Sequence, residues 1–159
     1  MLKRVTKHVL RELFLLIVGG IVYMGIEMLW RGRTHWSMGI VGGICFVLIG
    51  LLNETYTYEE SMELQALKSS AIVTVIEFIS GCIINLKLGW NVWDYSNMPL
   101  NLFGQVCLLF MVLWFFLAFV AIYLDDCIRY LCWKEPYPKY IWATPKLLKR
   151  ISFLWEGKK

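Results

Sequence analysis

The chain has 159 residues, 58% of them apolar, and a formal net charge of +4. That apolar share exceeds the roughly 45–50% of a soluble domain, and it is gathered in runs, which argues against an ordinary soluble fold. No phosphate-binding glycine loop, H-E-x-x-H zinc motif or Ser/His/Asp set can be assembled from the residues, so neither an enzyme, a cofactor nor a metal is expected.

Residues 1–12 set Lys3, Arg4, Lys7 and Arg11 around Val5, Val9 and Leu10, an interfacial lead into the first helix. A spanning helix needs roughly 20 apolar residues. Leu13–Trp30 comes close, with Glu27 as its one charge. Its length and the absence of a small-x-small cleavage site favour a retained helix over a signal peptide. The short Arg31–His35 connection turns the chain back into a second, uncharged span, Trp36–Leu52. There Gly39 and Gly43 form a small-xxx-small pair, suited to a dimer interface or to packing inside one chain. Internal packing is the preferred reading, because three other helices need partners.

Thr57-Tyr58-Glu59-Glu60 has the form of a capping box, so the third helix is expected to start there, ahead of its span Ser69–Leu86 with Glu77. Lys87–Asn101 is too polar to span and is placed at the outer surface, or dipping into the protein. Leu102–Leu124 is the uncharged fourth span. Beyond it Thr144 and Pro145 suit a helix start. Leu147, Leu148, Ile151, Leu154 and Trp155 then share one face, with Lys146, Lys149 and Arg150 largely on another. Such a helix lies in the membrane interface and attracts anionic lipid, or docks a partner protein. The expected fold is an all-α membrane protein: four transmembrane helices in residues 1–130 and a basic tail, 131–159, ending in an interfacial amphipathic helix.

Lysine and arginine concentrate on the cytoplasmic side of membrane proteins. With both termini inside, thirteen of the sixteen basic residues fall on the inner side; only Arg31, Arg33 and Lys87 fall outside. The positive charge is therefore a topology signal, and no nucleic-acid partner is expected. The five cysteines show no C-x-x-C spacing and read as free thiols.

A carboxylate at mid-bilayer costs about 2.5–3.5 kcal/mol on insertion scales, which makes an intramembrane acid a functional candidate. Glu77 lies near the middle of its run and Glu27 toward the outer end of its own. Glu77 is either a proton or cation site, or a hydrogen-bonded packing group with Ser80, Gln105 or Tyr23 as partner. Glu27 has Arg31 four residues on, ready for an i,i+4 pair. Asp125, Asp126 and Arg129 read as a charged helix terminus with a similar pair.

Trp93-Asp94-Tyr95-Ser96, followed by Asn101, Gly104-Gln105, Cys107 and Trp114, resembles the signature of the putative ABC-transporter type IV family, also called CmpB-like. The likeness is strongest over about 76–130. It departs at Arg33-Thr34-His35-Trp36, where the family tends to continue Arg-Gly-aromatic-Leu. The resemblance implies a bacterial inner-membrane protein and a permease or transporter subunit. Since four helices are few for alternating access, it would act as a homo-oligomer. A non-transporting scaffold and a phage-type holin are the competing expectations.

Overall fold

A computed structural model describes residues 2–56, 60–136 and 138–143. The residues proposed for the capping box (57–59) and the lipid-facing tail helix with Lys146, Lys149, Arg150 and Trp155 lie outside them. The described chain forms α1 (Leu2–Arg31), α2 (Trp36–Tyr56), α3 (Met62–Gly81) with a π-helical continuation Cys82–Lys87, a hairpin of β1 (Asn101–Leu102) and β2 (Val106–Cys107), and α4 (Leu108–Trp133).

All four long helices are long and apolar enough to cross a membrane. Large apolar side chains stand exposed along them, among them Ile21, Phe116, Val120 and Leu131. Hydrocarbon is the solvent in which such a surface costs nothing, and helices satisfy their own backbone there. The chain is a four-helix membrane protein.

The α1–α2 hairpin is seamed by glycines. A side chain on Gly43 would run into the Leu16 carbonyl, and one on Gly20 into the Gly39 carbonyl. Gly39 and Gly43 thus serve packing within the chain, bringing two backbones closer than any larger residue allows. Helix α2 in turn packs on both α3 and α4. One end of the bundle is closed by residues 88–107, whose Val92 and Trp93 join Met38 and Ile84 in a buried cluster. Toward the opposite end α2, α3 and α4 meet around Ile49, Met62 and Ile122, and the start of α1 joins that end through Arg11 and Glu12.

Three boundaries differ from the sequence expectation. The basic lead is part of α1, which is continuous from Leu2. Helix α3 starts at Met62 with Ser61 as its cap: the Ser61 hydroxyl accepts from Leu64 N, and Met62 N donates to Ile141 O where residues 138–143 return across the bundle end. The fourth helix spans 108–133, because residues 101–107 form the hairpin instead. Gly104 adopts φ +69° there, in the left-handed region that glycine enters without strain, and the turn closes with Gly104 N donating to Asn101 Oδ1.

Candidate functional site

Glu77 lies within one turn of the midpoint of the α3 span Met62–Lys87 and is 3% exposed. Tyr95 Oη donates to its Oε1 at 3.0 Å, and Trp114 Nε1 to its Oε2 at 2.8 Å. Of the partners expected from sequence, Ser80 instead returns its hydroxyl to the α3 backbone and Gln105 pairs with Asn85. Tyr23 reaches the neighbourhood through its ring, 6.0 Å from that of Trp114. Among the described residues no basic side chain pairs with Glu77. Glu77 borders a cavity of about 110 Å³ whose wall is otherwise apolar and aromatic, built from α1, α2 and α4 with Val73 of α3.

Tyr95 reaches Glu77 because the stretch expected to lie at the outer surface or to dip into the protein takes the second course. Non-helical backbone at that depth survives only where protein satisfies its polar groups, and Asn85 does this. Its Nδ2 donates to Trp93 O and Gln105 Oε1, and its Oδ1 accepts from Val92 N. The wide π turn keeps Ile84 and Asn85 buried at the end of α3. Gly81 lets the Gln105 side chain lie against the helix, and Trp93 Nε1 donates to Gln105 O.

The remaining motif residues shape this loop. Asp94 Oδ1 accepts from Ser96 N and Oγ, and those bonds hold its carboxyl below the usual range. Asn101 Nδ2 donates to Ser96 O and Met98 O. Burial, with the Glu77 carboxyl beside it, pushes the Tyr95 phenol above its ordinary range, so Tyr95 stays a donor. Its ring stacks on Phe110 of α4, centroids 4.5 Å apart. Trp93, Asp94, Tyr95, Ser96, Asn101, Gly104 and Gln105 therefore form one structure, a plug whose tip is the hydrogen bond to Glu77.

Glu27 sits differently. Its Oε1 accepts from Arg31 Nη2 at 2.5 Å, the i,i+4 pair expected, and its Oε2 from Thr34 Oγ1 at 2.6 Å. Arg31 Nη1 also donates to Val92 O. Both carboxylate oxygens are occupied, so the pair ties α1 to the plug.

The opposite end holds a network the sequence reading reduced to a charged terminus. Asp125 and Arg129 are 0% and 3% exposed, and Arg129 Nε donates to Asp125 Oδ2 at 2.7 Å. Glu12 and Glu54 approach the same guanidinium at 3.6 and 3.8 Å. Asp126 accepts from Asn53 and Tyr140, and Arg11 pairs with Glu135. Oxygens of Glu54, Asp125 and Asp126 lie within 4.8 Å of one another, a donor set able to hold a metal. Arg129 already provides a cation beside two of the three. The pairing partners come from four separate segments, which is why spacing along one helix did not reveal them.

The family described as putative ABC-transporter type IV matches residues 31–144. The chain belongs to that family. No curated protein and no solved structure matches it. The putative ABC-transporter type IV match takes in Glu77, Tyr95, Trp114 and the whole plug, together with Asp125, Asp126 and Arg129. Glu27 precedes it. Asn85, which no motif singled out, shows in the sequence only as an amide in an otherwise apolar stretch.

Proposed function

We propose that this chain is a small transport-related protein of the bacterial inner membrane, acting as a homo-oligomer, with Glu77 as the group at which a solute or proton is held. The observation that supports this most is the desolvated Glu77 carboxyl, hydrogen-bonded by Tyr95 and Trp114, bordering a cavity and without a basic partner among the described residues. An ionisable group that deep is costly, which favours its retention for function. The family description agrees in kind. Both termini are assigned to the cytoplasm from the distribution of basic residues, and the basic tail to anionic lipid.

The arrangement suggests how such a site works. Glu77 belongs to α3, Trp114 to α4 and Tyr95 to the plug, so a proton or solute arriving at the carboxyl competes with two hydrogen bonds from two different elements. Loss of the Tyr95 bond removes one of the contacts that tie the plug to α3, while the Asn85 bonds to Trp93, Gln105 and Val92 remain. The test is flux. Purified protein in proteoliposomes with an imposed pH gradient and a lumenal pH dye is offered organic cations, organic anions, amino acids and sugars. At least one class should dissipate the gradient, and Glu77→Gln should return the trace to that of protein-free vesicles. If no solute distinguishes protein from empty vesicles, the reading is wrong.

A further inference from the structure

Taking Glu77 as the working site, we propose that its cavity receives the head of a small lipophilic monocation, an alkylammonium whose hydrocarbon tail leaves between α1 and α4.

Charge is the first argument. Glu27 is matched by Arg31, whereas Glu77 has no base beside it among the described residues and is the only charged side chain in the cavity wall. A desolvated carboxylate is matched by a proton or a cation. An anion is repelled there, and a sugar leaves its hydroxyls without partners on walls so apolar.

Shape is the second argument. Cavity-facing aromatic rings from α1 and α4, Tyr23 and Trp114, stand 6.0 Å apart at 43° beside the carboxyl, and aromatic faces attract ammonium groups within about 6 Å. The volume, about 110 Å³, is somewhat below the ~150 Å³ that accommodates benzene in an apolar cavity. A trimethylammonium head has fewer heavy atoms than benzene. The wall continues outward as Val22 and Ile26 of α1 and Leu117 and Val120 of α4. Val22 and Val120 are themselves exposed, so the tail passes into lipid.

Cation and proton then exclude each other at one carboxyl. The titratable groups facing it are Tyr23 and the Glu27–Arg31 pair from α1, Cys45 from α2 and Tyr95 from the plug, while α4 presents Trp114. None of these supplies a free positive charge to compete with the ligand.

The experiment is calorimetric titration of the full chain in lipid nanodiscs with octyltrimethylammonium, corrected with empty nanodiscs, in buffers of different ionisation enthalpy. Octanol serves as the neutral counterpart. Saturable binding of one cation per chain is expected, with proton release growing as pH falls until affinity drops about tenfold per pH unit. Octanol should not reproduce it. Glu77→Gln should weaken binding by about tenfold or more, the loss of one charged partner. Ala121→Leu, which fills the cavity and keeps Glu77, should weaken it too, so the result does not hang on one variant's folding. Binding that survives Glu77→Gln, binding matched by octanol, or no binding at all overturns the proposal. If the cation does not bind while another solute still moves protons through Glu77 in proteoliposomes, only the ligand class is wrong. If neither happens, the transport reading falls as well.

Discussion

Glu27 and Glu77 are the same residue type in similar apolar helices, and their surroundings separate them. Glu27 has both oxygens committed to Arg31 and Thr34. Among the described residues Glu77 has only neutral donors. The Glu27–Arg31 pair was legible because i,i+4 spacing is local. The partners of Glu77 were not, because Tyr95 and Trp114 lie 18 and 37 residues away and meet it only through the tertiary fold. Removing one such bond inside a membrane protein costs little, on average about 0.6 and at most about 1.7 kcal/mol. Tyr95→Phe should therefore fold, with a loss in that range by reversible unfolding in mild detergent. Its sign with pH is also set. The folded phenol lies above its ordinary 10.0, so the stability it contributes is whole below about pH 10 and is lost as pH rises through the folded value. A tyrosinate absorbance titration, wild type minus Tyr95→Phe, should show a phenol ionising above 10. One ionising at or below 10 would contradict the buried hydrogen bond.

At the scale of elements, four apolar runs gave four helices, since helix is the only way a single segment satisfies its backbone in hydrocarbon. Hydropathy could not place their ends. Residues 102–107 are apolar enough to have been counted into the fourth span, yet Asn101 and Gly104 close a turn there. The π turn at Cys82–Lys87 leaves no compositional trace. Glycines of the α1–α2 seam offer a sharper check. Alanine usually gains about 1 kcal/mol over glycine in a helix. At Gly43 the new methyl meets the Leu16 carbonyl, whereas at Gly25 it meets nothing within 4 Å. Gly43→Ala should destabilise by about 1–3 kcal/mol, and Gly25→Ala should be neutral or stabilising. Equal effects in the unfolding assay would mean that the two helices are not in close contact.

Across the molecule, the buried charged side chains among the described residues gather in two places: Glu27 and Glu77 against the plug, and the arginine-centred network of Asp125, Asp126 and Arg129 at the opposite end. Composition foretold the membrane and the resemblance foretold the family, which spans 31–144. The network escaped because Glu12, Asn53, Glu54 and Tyr140 each look like ordinary boundary residues until the bundle closes around Arg129. Glu77 is the acid within the apolar spans that has no cation beside it among the described residues. N,N′-Dicyclohexylcarbodiimide, an apolar reagent that adds to protonated carboxyls, reads that directly when the modified residue is mapped by mass spectrometry in intact membranes. Glu77 should be modified and Glu27, held by Arg31 and Thr34, should not. Equal modification of both, or none at Glu77, would contradict the account.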